Sequence, residues 1–218
     1  MIKTFRFDTD QHEFSANTYV VGEKGHSCVV IDLGSTQDRV IDFIKENFTS
    51  CSGILLTHGH FDHIRGIRKF LETFSCTIFV HQDDHILLEE PKLNMSHYQV
   101  GETDISMKFT NIYELDDEDE IDFKNGYVFK VIATPFHTKG SVCYLCEKEH
   151  ALFTGDTLFK ESIGRTDLPT GSERSVNDSL SKLLLLDENL KVYPGHGDET
   201  TLKKEKENNI FLRKIERK

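Results

Sequence analysis

The chain has 218 residues, which is enough for one domain of the larger kind with a core that needs no disulfides. Hydrophobic residues make up 37% of it and charged residues 29%, and this composition excludes disordered and collagen-like proteins. A formal net charge of -11 disfavours nucleic acid as a partner, and the lack of any long apolar run or apolar signal segment predicts a cytoplasmic protein with no membrane partner.

The first half of the chain alternates between the hydrophobic period of strands and that of helices. Strands are predicted for residues 2–7, 18–21, 28–32, 53–56 and 77–80, and helices for residues 37–47, 67–74 and 83–89. Residues 92–119 are polar and irregular, so their pattern assigns no element clearly.

In the second half, apolar runs predict a group of consecutive strands accompanied by helices. The strands are residues 127–133, 141–145, 151–154 and 190–193, and the helices are residues 175–185 and a terminal helix that begins near Thr201. Strands with helices at both ends of the chain predict sheets covered by helices. No repeat or linker interrupts the pattern, so a single domain over residues 1–218 is expected.

The five cysteines form an odd set, and each lies in or beside an apolar stretch. They are Cys28, Cys51, Cys76, Cys143 and Cys146. This pattern favours buried, reduced thiols over a disulfide framework. Because Cys143-x-x-Cys146 lies in a strand-like run and has no second pair to complete a metal site, we expect both residues to serve packing.

An acidic run precedes the predicted strand at residues 127–133. Seven carboxylates occur between Glu114 and Asp122 with no basic residue among them, and they account for most of the net charge. Their spacing differs from that of an EF-hand loop, so the run predicts a solvated turn rather than a calcium site.

The most informative segment is Thr57-His58-Gly59-His60-Phe61-Asp62-His63, which directly follows the predicted strand 53–56. Three imidazoles and a carboxylate within six residues of a polar loop are hard to explain by packing. In extended backbone, alternation points His58 and His60 the same way, whereas Asp62 and His63 leave the turn in another direction. One loop can therefore supply ligands to two adjacent metal ions.

Three further residues of ligand type each follow a predicted strand. His137 comes after residues 127–133, Asp156 after residues 151–154, and His196 after residues 190–193. Each strand runs into a short turn with Gly or Pro, an arrangement that gathers ligands along one rim of a sheet. Asp32 also ends a strand, and its position fits a turn residue and a support for a ligand equally well.

The other histidines lack such settings. They are His12, His26, His81, His85, His97 and His150. His81 and His85 have the spacing of a helical ligand pair, but we expect ordinary surface or helix-end histidines at both positions.

The pattern His58-x-His60-x-Asp62-His63, followed by His137, Asp156 and His196, resembles the metallo-β-lactamase superfamily. Asn17-Thr18-Tyr19-Val20-Val21 and Asp32-x-Gly34 resemble its opening strands, so the match covers nearly the whole chain. The resemblance implies an α/β (α+β) fold, a four-layer αββα sandwich in which helices flank two mixed sheets and the metals lie at one edge.

The resemblance assigns the seven residues to two metal positions that share one bridging ligand. The first position takes His58, His60 and His137, the second takes Asp62, His63 and His196, and the bridge is Asp156. The implied cofactors are two divalent metal ions. Zinc is expected first, with iron or manganese as alternatives, because imidazole and carboxylate ligands suit all three.

Within the superfamily, Gly155-Asp156-Thr157, Gly164-Arg165-Thr166-Asp167 and Gly195-His196-Gly197 resemble the short glyoxalase II-like hydrolases. The resemblance implies a metal-dependent hydrolase that cleaves a small-molecule thiol ester, as a hydroxyacylglutathione hydrolase does, by a metal-bound hydroxide at a dinuclear site. Asp62 would also be catalytic, since it could orient the attacking water or accept its proton. The true β-lactamases carry a cysteine in the usual place of Asp156, so antibiotic hydrolysis is not expected.

Two departures from the glyoxalase II enzymes bear on the substrate. Those enzymes have an aromatic residue shortly after the last histidine, where this chain has Gly197-Asp198-Glu199, and a C-terminal helical domain that grips glutathione. Little chain follows His196, so no separate C-terminal substrate-binding domain is expected here. Lys139 and Arg165 are the candidates for binding a substrate carboxylate.

Three other functions share the ligand pattern. A persulfide dioxygenase would share Gly164-Arg165-Thr166-Asp167 but hold a single iron at the positions of His58, His137 and Asp156. An RNA phosphodiesterase would use the same metal pair, but the acidic balance and the lack of an inserted basic arm oppose it. A metal-binding module without catalysis is the last, and it is disfavoured because all seven ligand positions are filled.

Overall fold

The structure is a computed structural model that describes residues 1–7, 15–99 and 103–216. Its first sheet contains six strands in sequence order, so each strand lies beside the next one in the chain. They are β1 (Ile2–Phe5), β2 (Thr18–Gly22), β3 (Ser27–Ile31), β4 (Ser50–Leu55), β5 (Thr77–His81) and β6 (Ile112–Leu115). The sheet is mixed, because β1 to β3 pair antiparallel and β3 to β6 pair parallel.

Parallel neighbours require crossover connections, and four helices lie in those of the first sheet. They are α1 (Arg39–Asn47), α2 (Phe61–Ile64), α3 (Ile67–Leu71) and α4 (His85–Glu89). Helix α1 is amphipathic and buries Val40, Ile41 and Ile44 against the sheet.

The second sheet has the strand order β14-β13-β10-β9-β8-β7, and β11 and β12 form a separate hairpin. The strands are β7 (Glu120–Asp122), β8 (Val128–Ala133), β9 (Val142–Cys146), β10 (Ala151–Gly155), β11 (Leu158–Phe159), β12 (Ser162–Ile163), β13 (Lys191–Pro194) and β14 (Thr200–Thr201). Only β10 and β13 pair parallel among these described strands, so this sheet is mixed as well. Three helices are described in the second half of the chain. They are α5 (Val176–Leu184), α6 (Leu202–Asn208) and α7 (Ile210–Glu216).

Three apolar clusters separate four layers. The first packs β3 and β4 against α1 and α3, the second lies between the two sheets, and the third packs the second sheet against α5 to α7. Strand β9 shows how alternation divides the layers, because Tyr144 points between the sheets and Leu145 points under the helices. The αββα fold class expected from the resemblance is confirmed.

The cysteines follow the prediction of buried thiols, since all five are free and buried. Cys143 belongs to the cluster under the helices and Cys146 to the cluster between the sheets. The two thiols therefore point to opposite faces of β9 and do not form a pair.

The segment 92–119, to which the sequence pattern assigns no element clearly, contains the strand β6. This strand lies at the edge of the first sheet, and only Leu115 among its four residues is buried, so its hydrophobic signal is weak. The acidic run crosses from β6 to β7, and Asp116 and Asp119 form the turn between them. Lys182 and Lys130 pair with Asp117 and Glu118 of that turn.

The terminal helix predicted from Thr201 is two helices, α6 and α7, separated at Asn209. His81 accepts a hydrogen bond from the backbone N–H of Asp83, and His85 pairs with Glu114, so both serve local structure as expected. No described helix is long and apolar enough to cross a membrane.

Candidate metal centre

The ends of four strands bring the seven predicted ligand residues to one edge of the sandwich. The loop after β4 carries His58, His60, Asp62 and His63, while His137, Asp156 and His196 follow β8, β10 and β13. Five of the side chains are buried, and Asp156 and His196 are partly exposed. Residues far apart in the sequence thus meet because strands of both sheets end at the same edge.

The ligand atoms form three overlapping groups, each spanning no more than 4.8 Å. We name the set His58, His60 and His137 the His58 group, and the set Asp62, His63 and His196 the Asp62 group. The third group, His58, His63 and Asp156, joins them. Asp156 reaches both sides, with Oδ1 3.3 Å from His63 Nε2 and Oδ2 3.5 Å from His137 Nε2.

The donor set fits divalent cations. Within the described part of the chain, four buried polar atoms of this cluster lack a hydrogen-bond partner: His58 Nε2, His60 Nε2, His63 Nε2 and Asp156 Oδ1. Buried polar atoms without a partner destabilise a fold unless something else binds them. Imidazole nitrogen and carboxylate oxygen are ligands of zinc, iron and manganese, so a metal ion would satisfy all four atoms.

Two rings of the His58 group, those of His58 and His60, are neutral at neutral pH. Burial, with a smaller contribution from His137, lowers the pKa of His60 to about 3, and burial also lowers the pKa of His58 well below its usual value. A ring must be unprotonated to bind a metal, so both imidazoles are ready to act as ligands.

The Asp62 group combines charges of opposite sign. Burial alone would lower the pKa of His63, but Asp32, Asp156 and Asp62 outweigh it and raise this pKa. Burial likewise opposes ionisation of Asp156, yet His196 and His63 hold the pKa of this carboxyl well below its usual range. The cluster therefore keeps its carboxylates ionised, as metal ligands must be.

Residues outside the cluster orient its rings. Asp32 Oδ2 accepts from His63 Nδ1 at 2.8 Å and from the Thr57 hydroxyl at 2.8 Å. The carbonyl oxygen of Arg165 lies 2.8 Å from His137 Nδ1 and accepts a hydrogen bond from it. Each contact turns Nε2 of the ring toward the cluster, which is the role of supporting residues around metals.

Asp32 also has a φ of 55°, so it makes the turn at the end of β3 as well as the contact with His63. Both roles that the sequence left open for this residue are therefore present. A second carboxylate, Asp84, is buried between the loops near the cluster, and the sequence carries no signal for it, because nothing distinguishes it from its neighbour Asp83.

A cleft of about 340 Å³ opens beside the cluster. Its wall is largely apolar, with Phe61, Met95, Phe159 and Leu168, and Arg165 also lines it. Arg165 binds the Asp167 carboxylate through two hydrogen bonds of 2.6 and 2.7 Å. Lys139 is not part of this wall and lies 2.7 Å from Asp83 Oδ1.

The family follows from a comparison with known proteins. A family model described as the metallo-beta-lactamase superfamily matches residues 13–196. The chain belongs to the metallo-β-lactamase superfamily. The expected family resemblance is thereby confirmed.

Curated relatives within the metallo-β-lactamase superfamily include hydrolases. A probable metallo-hydrolase of Streptococcus pyogenes serotype M6 is 33% identical over 213 residues, which cover 94% of this chain and 89% of the relative. The hydroxyacylglutathione hydrolase GloC of Haemophilus influenzae is 30% identical over 201 residues, which cover 91% of this chain and 93% of the relative. The chain is therefore a metallo-hydrolase of this superfamily.

Two solved structures of metallo-β-lactamase fold show the same architecture. The BLEG-1 B3 metallo-β-lactamase has a TM-score of 0.87 and 36% sequence identity, covering 97% of this chain and 99% of its own. A protein crystallised in a di-iron-bound form has a TM-score of 0.79 and 29% identity, covering 97% of this chain and 100% of its own.

Proposed function

We propose that the protein hydrolyses small-molecule thiol esters, with the His58 group, the Asp62 group and Asp156 holding two divalent metal ions. The observation that carries this proposal is the meeting of two ligand groups, joined by one carboxylate, at the base of a cleft. Similarity to a hydroxyacylglutathione hydrolase supports the choice of a thioester.

The metal ligands and Asp62 have different roles in the proposed hydrolysis. Bound divalent ions supply Lewis acidity, which polarises an acyl carbonyl and makes water nucleophilic near neutral pH. Asp62, whose Oδ2 lies 3.0 Å from His196 Nε2 and which lines the cleft, would orient the attacking water and accept its proton. A thiolate can leave without being protonated by a strong general acid. The residues that line the cleft therefore need not include such an acid.

The cleft wall bears on the thiol ester that fits. The apolar side chains of Phe61, Met95 and Phe159 would hold an uncharged part of the substrate. Arg165 remains the proposed site for a substrate carboxylate, and such a carboxylate would compete with Asp167 for the guanidinium group. Of the two proposed cations, Arg165 lines the cleft and Lys139 does not. The ammonium group of Lys139 pairs with Asp83 instead.

Zinc is the first proposed metal, and iron is the alternative. The ligand set suits both metals, and a protein of 29% identity has been crystallised in a di-iron-bound form. Elemental analysis of protein purified without added metal distinguishes two zinc ions per chain from two iron ions.

The proposal is tested by thioester hydrolysis before and after chelation. We expect a panel of small thiol esters to include substrates whose cleavage is lost when metal is removed and returns when zinc is added. Cleavage that survives complete removal of metal contradicts the proposal. Oxygen uptake with glutathione persulfide, together with one iron per chain, would instead establish a persulfide dioxygenase.

β-Lactam hydrolysis is a second candidate function. The sequence argued against it because Asp156 occupies the usual place of a cysteine, but BLEG-1, at 36% identity over nearly the whole chain, is a B3 metallo-β-lactamase. Cleavage of a chromogenic cephalosporin should be measured beside cleavage of the thiol esters. Cephalosporin cleavage with no cleavage of any thiol ester would favour this second function.

A further inference from the structure

Asp84 is a buried carboxylate that lies between the two loops carrying the His58 group. It ends a short 3-10 helix, Gln82–Asp84, that directly follows β5. Its side chain is completely buried and contacts none of the seven proposed ligands by hydrogen bond within the described residues. The hydrogen bonds of Asp84 therefore reach the proposed ligands only through the groups that it binds.

The carboxylate binds one loop from each sheet. Oδ2 accepts from the backbone N–H of Gly59 at 2.9 Å, and Gly59 lies between His58 and His60. The same oxygen accepts from the Thr138 hydroxyl at 2.7 Å, and Thr138 follows His137. Oδ1 accepts from the backbone N–H of Gly140 at 2.8 Å, so three hydrogen bonds connect the loops.

The glycines at both contacts provide an independent observation. A Cβ atom at Gly140 would lie 2.6 Å from Asp84 N and 2.7 Å from Asp84 Oδ1. A Cβ atom at Gly59 would lie 2.5 Å from Leu87 Cβ and 3.1 Å from Asp84 O. The two loops can lie this close to Asp84 and its neighbour Leu87 because Gly59 and Gly140 have no side chain.

We infer that Asp84 is a positioning residue that fixes the loop of His58 and His60 relative to the loop of His137, and thereby sets the affinity of the His58 group for its metal. The inference rests on the proposed metal site but not on the identity of the substrate. It is therefore separable from the proposed thioesterase activity, which can fail while this inference stands.

The test is the variant Asp84→Asn, which keeps the size of the side chain. An amide presents an NH₂ group to at least one N–H or O–H donor, so one contact between the loops is lost. Supporting residues around metals change affinity by roughly 10- to 100-fold, and we expect zinc to bind Asp84→Asn at least about tenfold more weakly. Competition with a chromogenic chelator measures this affinity, and the absorption spectrum of cobalt-substituted protein reports the ligand geometry.

Asp83→Asn is the matched control. Asp83 is the preceding residue, and its carboxylate contacts Lys139 of the His137 loop at the surface, whereas within the described residues no hydrogen bond joins it to the loop of His58 and His60. We expect its zinc affinity and cobalt spectrum to equal those of the wild type. Equal weakening in Asp83→Asn and Asp84→Asn would overturn the inference, as would an Asp84→Asn protein that unfolds at lower temperature but binds zinc normally.

A second pair of variants keeps the test valid if Asp84→Asn does not fold. Thr138→Val removes the hydroxyl that Asp84 binds, and Thr138→Ser retains it. We expect weaker zinc binding in Thr138→Val and wild-type binding in Thr138→Ser. Identical zinc affinities for these two variants would contradict the inference.

Discussion

Gly195, directly before His196, lies where a side chain would enter the ligand cluster. A Cβ atom at this position would lie 2.3 Å from Asp156 Oδ1 and 2.8 Å from His63 Cε1. Contacts this short force the neighbours to move, and here the neighbours are the proposed bridging ligand and a ligand of the Asp62 group. The glycine therefore preserves space that the proposed metal centre requires.

The variant Gly195→Ala is expected to bind less metal than the wild type, because the new methyl group displaces Asp156. Metal content per chain after purification and dialysis measures the effect. Gly22→Ala is the matched control, since its Cβ atom would crowd Phe48 at 2.7 Å in the core, away from the cluster. A Gly195→Ala protein with full metal content would contradict this role of Gly195.

Sequence reasoning identifies the residues whose type and spacing have few explanations other than metal binding. Closely spaced histidines in a polar loop have little reason to exist apart from metal binding, so His58, His60 and His63 stand out. Asp84 and Gly195 do not, because carboxylates and glycines occur at countless turns. Their importance depends on neighbours supplied by other strands, which a single sequence does not show.

Two neighbouring elements, the hairpin of β11 and β12 and helix α6, are joined by a buried carboxylate. Glu205 of α6 accepts from the backbone N–H of Glu161 in the hairpin turn at 2.7 Å and from the Thr200 hydroxyl at 2.7 Å. Asn209 donates to Glu205 Oε2 and to the carbonyl of Ser162. This network fixes the position of the hairpin next to α6. Phe159 of the hairpin lines the cleft, and so does Arg165, which follows the hairpin in the chain.

The variant Glu205→Gln is expected to lower the free energy of unfolding by about 1–3 kcal/mol, because an amide cannot accept all of these hydrogen bonds. Denaturant unfolding followed by circular dichroism measures the change. Glu207→Gln on the same helix is the control, since Glu207 is exposed and its substitution should have little effect. Equal stability of Glu205→Gln and wild type would show that the network contributes nothing.

The elements that the sequence predicts are those with a clear hydrophobic period. Helix α1 and strands β8 to β10 each bury several apolar residues, so their patterns are strong. β6 buries only Leu115, and β11 and β12 are two residues long, so too few residues carry a pattern. The break at Asn209 is not predicted either, because it involves a tertiary contact with Ser162 as well as the local contact with Glu205.

On the scale of the whole molecule, the proposed metal centre spans the boundary between the two sheets. The first sheet supplies four of the ligand residues through the loop after β4, and the second sheet supplies the other three. A metal ion bound by both sets would hold the sheets together at this edge. Metal binding and folding stability are therefore expected to be coupled.

Chelation is expected to lower the midpoint of thermal unfolding. A ligand present at about 1,000 times its dissociation constant stabilises the native state by roughly 4 kcal/mol, which corresponds to roughly 10 °C for a protein of this size. Differential scanning calorimetry with and without chelator measures the shift. His58→Ala, which removes a residue shared by two of the three groups, should shift less, and an unchanged midpoint of the wild type would contradict the coupling.

The division of the proposed ligands between the two sheets also affects when the centre can form during folding. His58 and His196 are separated by more than half of the chain, so no short segment can assemble the centre on its own. Contacts between residues so distant in sequence form late in folding, because a long loop must first close. We therefore expect the complete proposed centre to form only after the two sheets have packed together, and metal delivered earlier would meet only the loop from His58 to His63.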